Sequence, residues 1–368
     1  MKHKICLFDV TASHYRKEIF ELIDSTFDVH FYFGDMMPSI KKMDTSNLHG
    51  ITADLHVLQI GPFFWYKGML AIVKSTYDTC IFDGDYRCLS TWISLLYCKM
   101  KGKRSFLWTH GFYGYESGLK ATIKKLFFKL STGGFIYGDY AKEIMINKYG
   151  IPVEKIHVIH NSLDYNRQLA IRKELMHSDI YTEHFGNDNP VLIFIGRLTK
   201  IKKLDMILSA QKKLIDNGVK VNLVYVGDGP EKKNLESLVN DYRLENNVWF
   251  YGASYEEEKN AELIYNADIC ISPGNIGLTA LHVLTYGTPA ITHGNWQEQM
   301  PEFEVITKGV TGDFFEYDSV DSLEQSIREW LLDDKNREDI RSACFNVIDS
   351  EWNPYYQIKV LKEVIDDE

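Results

Sequence analysis

The sequence predicts an α/β protein made of two doubly wound, Rossmann-like domains. Three observations lead there. Short apolar runs alternate with helical patterns, the runs lack the period-2 polarity of half-exposed strands, and 368 residues suffice for two separate cores. Strands of that kind are covered by helices on both faces and joined in parallel through crossover helices.

The second half shows the rhythm best. Strand runs at 191–195, 221–226, 248–252, 268–272 and 289–292 alternate with helical stretches at 204–215, 231–239, 256–266 and 279–286. Two more helical patterns follow at 320–332 and 335–347. The first half repeats this less cleanly, with strand candidates at 5–8, 29–33, 55–59, 79–82, 105–108, 135–137 and 156–159. Its helical patterns lie at 16–23, 89–99, 119–130 and 141–148. The polar, turn-rich stretch 184–190 reads as a linker. The predicted domains are therefore residues 1–180 and 188–348, with a last helix in 349–368 crossing back to the first. Ligands of such sheets bind at the carboxyl ends of the strands, so the cleft between the two domains is the expected site.

Bulk composition excludes several classes. A chain 45% hydrophobic and 25% charged suits a soluble globular protein, and its net charge of −10 argues against nucleic acid as a partner. The six cysteines form no C-x-x-C pair and several sit in apolar runs, as buried reduced thiols do, so neither disulfides nor zinc is expected. The opening Met1-Lys-His-Lys lacks the apolar core of a secretory leader. The most apolar stretch, 60–73, is too short to span a bilayer and contains Lys67. A cytoplasmic protein, at most peripheral on the membrane, is expected.

Three short motifs carry possible chemistry. The run 191–195 ends in Gly196-Arg197-Leu198, followed by Lys200, Lys202 and Lys203. Glycine permits close backbone approach, while arginine and lysine supply a fork and a point charge for phosphate oxygens. The run 221–226 ends in Gly227-Asp-Gly-Pro-Glu231. The run 268–272 leads into Pro273-Gly274-Asn275-Ile276-Gly277-Leu278-Thr279, a Gly-rich turn before a helix whose N–H groups can hold an anion. Each motif alone also fits a solvated helix start or a plain turn.

Their order is more specific. Gly196-Arg-Leu with Lys202, Gly227-Asp-Gly-Pro-Glu, Ala267-Asp, Pro273, Gly277-Leu278 and Gly287-Thr-Pro289 together resemble the C-terminal domain of family 4 retaining glycosyltransferases, which have the glycosyltransferase-B fold. The segment Lys155-Ile-His-Val-Ile-His-Asn161-Ser-Leu-Asp164 extends the resemblance into the first half. Segments such as Trp108-Thr-His110-Gly and Gln299-Met-Pro-Glu302 are similar to members that build bacterial surface polysaccharides. The resemblance implies transfer of a hexosyl group from a nucleoside-diphosphate sugar, a UDP-sugar first, to a saccharide or polyprenyl-linked acceptor, with retention. It implies no metal and no cofactor beyond the donor.

Carried over by residue, the resemblance puts Arg197 and Lys202 on the diphosphate with Gly196, and Gly277, Leu278 and Thr279 around the same phosphates. Asn275 and Ile276 complete that loop. Family members usually carry two glutamates separated by seven residues; here those positions hold Gly274 and His282. His282 could still meet a ribose hydroxyl, and Asn275 the sugar. The missing glutamates keep two other readings in view: a non-catalytic nucleotide-sugar-binding scaffold, and a sugar-nucleotide epimerase.

In the first half, His110 follows a strand, where the resemblance implies a histidine near the donor sugar. A satisfied structural histidine is the plainer reading. Arg16 and Asp85 are acceptor-side candidates, and Asp83-Gly-Asp85 reads as an acceptor contact or turn rather than a metal site. Glu302 reads as a surface carboxylate, while His14, His160 and His293 carry no assignment. Finally, Leu119, Ile123, Leu126, Phe127 and Leu130 predict the core face of a helix over 119–130, with Lys120, Lys124, Lys125 and Lys129 around it and Phe128 off that face. With Lys99, Lys101, Lys103 and Arg104 upstream, this helix is a candidate for reversible contact with an anionic membrane surface.

Overall fold

The computed structural model describes residues 4–35 and 41–366. Residues 1–3, read above for a leader, lie outside them. The chain forms two compact units, with the boundary between Asp164 and Tyr165 and a return to the first unit at Trp352.

In the first unit, β1 (Lys4–Asp9), α1 (Lys17–Thr26), β2 (Asp28–Gly34), β3 (Thr52–Leu55), β4 (Val57–Ile60) and β5 (Phe63–Tyr66) come first. There follow α2 (Met69–Val73), β6 (Thr79–Asp83), α3 (Leu89–Lys101), β7 (Arg104–Thr109) and α4 (Gly118–Leu130). The run ends with β8 (Gly133–Ile136), α5 (Asp139–Asn147) and β9 (Ile156–Val158). The second unit starts with α6 (Tyr165–Glu174), α7 (Ile180–Phe185), β10 (Val191–Ile195), α8 (Asp205–Asp216), β11 (Asn222–Val226) and α9 (Lys232–Tyr242). It continues through β12 (Val248–Gly252), α10 (Glu257–Asn266), β13 (Ile269–Ser272), α11 (Thr279–Thr285) and β14 (Ala290–His293). It closes with β15 (Gly312–Phe315), α12 (Val320–Leu332) and α13 (Arg337–Glu351), after which α14 (Pro354–Asp366) rejoins the first unit.

Each unit is built on a parallel sheet, ordered β3-β2-β1-β6-β7-β8-β9 in the first and β12-β11-β10-β13-β14-β15 in the second. Strand order reverses between β1 and β6, and again between β10 and β13. At such reversals the crossover helices leave on opposite faces, which opens a crevice at the carboxyl ends of the strands. Successive residues of β1 serve opposite layers: Cys6 and Phe8 pack with α3 and α4, Ile5 and Leu7 with α1 and α14. Ile358, Leu361 and Ile365 of α14 bury against Ile19, Phe20 and Ile23 of α1. Arg104 donates to the Ile365 carbonyl at 2.6 Å and so closes the open end of α14. All six cysteines are buried and free.

The differences from the sequence reading are local. The stretch 184–190 is not a linker; it lies within the second unit, and so do α6 and α7, which the reading gave no elements. The candidate 55–59 divides, because β3 joins the large sheet while β4 pairs antiparallel with β5 in a separate hairpin. In α4, Phe128 is buried rather than off the core, and Leu119 and Leu126 are 76% and 53% exposed rather than buried. The helix is seated on Phe127 and Phe128, and Lys124 is drawn inward by the buried Glu116. Among the described residues no helix is long and apolar enough to cross a membrane.

Candidate functional site

In the second unit the loops after β10, β11 and β13 converge at the strand reversal. Gly196 has φ +144°, open to glycine, and its carbonyl oxygen would lie 1.9 Å from a Cβ on Gly227. The two turns are laced by Leu198 N–H donating to the Asp228 carbonyl at 3.0 Å. On the other side, Gly274 N–H donates to the Lys202 carbonyl at 3.0 Å. A Cβ on Gly274 would meet the Ile201 oxygen at 2.1 Å, so the backbone leaves no room for a side chain at this position.

Two cations stand at this junction in different states. Arg197 is exposed and has no ion pair among the described residues. Lys202 is half-buried, and its Nζ donates to Asn275 O at 2.5 Å and Oδ1 at 3.0 Å. Burial lowers its pKa, and the charge of Glu302 opposes that shift. Glu302 is buried rather than at the surface. Thr279 Oγ1 donates to the Ile195 carbonyl at 3.2 Å, tying the start of α11 to the end of β10.

The loop has an organiser that the sequence reading quoted only as part of a similar segment. Buried Gln299 accepts from Ile276 N–H at 3.0 Å and donates to Thr292 Oγ1 and the His293 carbonyl at 2.8 and 3.1 Å. Ile276 is wholly buried and its N–H is engaged, so it serves the loop's shape rather than a ligand. His282, one turn into α11, is half-buried and donates from Nε2 to Glu257 at 3.0 Å. Its partner lies 25 residues away on another helix, beyond any local pattern.

The first unit has its own pocket, of about 510 Å³, at the carboxyl ends of β1, β6 and β7. It brings together Arg16, Asp85 and His110, as well as Asp9 and Asp83. Arg16 pairs with Asp9, lies over the Trp108 ring at 4.4 Å, and keeps its second terminal nitrogen buried without a hydrogen bond. Asp85 pairs with Arg87, 2.5 Å away, and among the described residues Asp83 is the carboxylate of this pocket without an ion pair. Burial, and then the charges of Asp9 and Asp85, raise the Asp83 pKa to about 7. Burial, helped by Arg16 and Lys124, pushes His110 down to about 4, so at neutral pH its imidazole is uncharged. At the back of the pocket Lys124 pairs at 2.5 Å with the buried Glu116 and donates to the Gly111 carbonyl at 3.0 Å.

The three histidines that the sequence left without an assignment make contacts within the first and second units. His160, at φ +54°, stacks on Trp352, and Gln357 donates to its carbonyl at 2.9 Å. His293 is buried and accepts from Asn295 N–H at 3.2 Å. His14 is exposed and contacts the Lys41 carbonyl at 3.1 Å.

Residues 180–346 match the family model described as glycosyl transferases group 1. A GDP-mannose-dependent α-(1-6)-phosphatidylinositol dimannoside mannosyltransferase of Mycobacterium tuberculosis is 34% identical over 113 residues, 30% of this chain and 29% of the relative. The chain spans less than half the length of the curated relatives it matches. Among solved structures, a glycosyltransferase from Rickettsia africae superposes with a TM-score of 0.74 at 15% identity, covering 100% of both chains. HepE of Anabaena, solved in complex with UDP, gives 0.72 at 14% identity, covering 99% of both. The chain thus has the glycosyltransferase-B fold, and its residues 180–346 match the glycosyl transferases group 1 family.

Proposed function

We propose that this protein is a glycosyltransferase that moves a hexosyl group from a nucleoside-diphosphate sugar, a UDP-sugar first, to a saccharide or lipid-linked saccharide acceptor. The observation that carries the reading is the junction at the β10/β13 reversal, where exposed Arg197, Lys202 and the Gly277–Leu278–Thr279 backbone adjoin one another in a segment that matches a glycosyltransferase family. The cations hold the diphosphate and stabilise its departure, so transfer runs without a metal. His282 meets the ribose, and neutral His110 serves the reacting sugar by hydrogen bonding. No covalent nucleophile is needed if the acceptor attacks on the donor's own face, which gives retention.

The pocket of the first unit takes the acceptor. Its aromatic faces (Tyr15, Tyr86, Tyr113, Tyr115) and its carboxylates suit sugar rings and hydroxyls. Production of surface polysaccharide fits an acceptor carried on lipid. Contact with an anionic membrane then falls to α3 and α4, which pack side by side. They expose Ile93, Leu96, Met100, Leu119 and Leu126 among Lys99, Lys101, Lys120 and Lys129. The test is incubation of the pure protein with a panel of nucleotide sugars and saccharide acceptors, in EDTA, following free nucleotide and product configuration. Glycoside formation with retention supports the proposal. Binding without turnover indicates a scaffold subunit, and an altered sugar nucleotide without acceptor indicates an epimerase.

A further inference from the structure

Glu257 opens α10, just past the carboxyl end of β12 and so on the ligand side of the second sheet. Three donors converge on its Oε1: His282 Nε2 at 3.0 Å, Tyr286 Oη at 2.7 Å and Gln168 Nε2 at 2.8 Å. Oε2 has no hydrogen-bond partner among the described residues. A carboxylate only accepts, so Nε2 of His282 carries a proton, and in the neutral imidazole Nδ1 then presents a lone pair. Burial would raise the Glu257 pKa, but His282, Gln168 and Tyr286 bring it to about 2, and the group stays ionised across the working range.

The arrangement is asymmetric. A carboxylate that merely tied α6, α10 and α11 together would use both oxygens for the purpose. Here one oxygen is saturated from two other helices and the other is held ready, next to an imidazole whose tautomer is fixed with its acceptor nitrogen free. Two adjacent acceptors, one of them negative, repel phosphate and suit a group with two O–H donors. In a nucleoside diphosphate that group is the vicinal diol of the ribose.

Resting on the donor-site reading above, we infer that Glu257, oriented by Tyr286 and Gln168, binds the ribose diol together with His282. It provides from α10 the carboxylate that this chain lacks at position 282.

The test uses the full chain and calorimetric titration with UDP, GDP and ADP, then with the 2′-deoxy form of whichever binds. The wild type should prefer the ribonucleotide by about tenfold to a hundredfold, the size of a hydrogen bond to a charged group. Glu257→Gln should abolish that preference. The double variant Glu257→Gln, His282→Glu, which moves the carboxylate onto α11, should restore it. If Glu257→Gln fails to fold, His282→Ala removes the second acceptor and should reduce the preference. A wild type that binds a nucleoside diphosphate but ignores the 2′-hydroxyl overturns this inference alone, as does an intact preference in folded Glu257→Gln. A wild type that binds none of the three nucleotides overturns the donor-site reading and this inference with it.

Discussion

The ammonium of Lys202 is held by Asn275, at 2.5 Å from its carbonyl and 3.0 Å from its side-chain oxygen, while Arg197 is exposed and has no ion pair among the described residues. One cation is therefore stationed by the loop it serves, and the other is held by no ion pair. Replacing either by alanine should remove a charge-assisted contact that strengthens as the diphosphate leaves. Each change should cost about 2–4 kcal/mol in kcat/KM. Thermal unfolding should separate the two: Arg197→Ala leaves the midpoint unchanged, and Lys202→Ala lowers it by freeing Asn275. Near wild-type turnover in either variant would refute the clamp.

Gly274 makes a second prediction. Its missing Cβ would lie 2.1 Å from the Ile201 oxygen and 2.7 Å from Lys202 Cα, both backbone atoms with nowhere to move. Gly274→Glu, which places there the glutamate that the family resemblance implies, should therefore not be accommodated. It should destabilise the protein by about 3 kcal/mol or more and displace Lys202. Denaturant unfolding of Gly274→Ala and Gly274→Glu measures this; a glutamate variant as stable as the wild type would show that the loop can yield.

What the sequence disclosed follows the same physics. The strand Val191–Ile195 was legible to the residue because a doubly covered parallel strand must be apolar throughout. β15, Gly-Asp-Phe-Phe, is too short and too polar at its start to stand out, and α6 has no apolar stripe to betray it. The motif residues of the second unit were found because each sits within a few positions of a strand end. Glu257 and Gln299 were not, since each acts on residues 23 or 25 positions away through the fold. Lys124 was misread because a lysine beside leucines looks solvated until the buried Glu116 is brought against it.

The first pocket predicts a pH dependence. Asp83 titrates near 7 in the folded protein against an ordinary value of 3.8, so between about pH 4 and pH 7 the native state keeps a proton that the unfolded chain has released. Stability should fall as pH rises through that window. Asp83→Asn, which cannot ionise, should lack this slope. It should gain about 1–2 kcal/mol over the wild type at pH 8 once partial hydration is allowed for, and match it at pH 4. His110, with its pKa near 4, stays neutral from pH 5 to 8. His110→Ala should accordingly lower kcat by about the same factor across that range, leaving nucleotide affinity unchanged. Parallel unfolding and rate profiles at five pH values would check both; a wild-type slope retained in Asp83→Asn would reassign the titration.

The last prediction concerns the membrane and turns on sorting the basic residues of α3 and α4 by what they already hold. Lys124 is committed to Glu116, Lys103 donates to the Val73 and Ser75 carbonyls at 2.8 and 2.7 Å, and Arg104 caps α14. Those three belong to the fold. Lys99, Lys101, Lys120 and Lys129 are exposed, beside Met100 at 81% and Leu119 at 76% exposure. Attraction to anionic headgroups at about 1 kcal/mol per nearby cation should therefore come from these four, with the apolar side chains inserting between them. Changing all four to Gln should abolish sedimentation with anionic vesicles and leave the unfolding midpoint in place. Lys124→Gln should do the reverse, lowering stability by about 3–5 kcal/mol because it strands a buried carboxylate. High salt should release the wild type from vesicles. Equal sedimentation with neutral and anionic vesicles, or full binding by the fourfold variant, would mean that these lysines are only a solvated face.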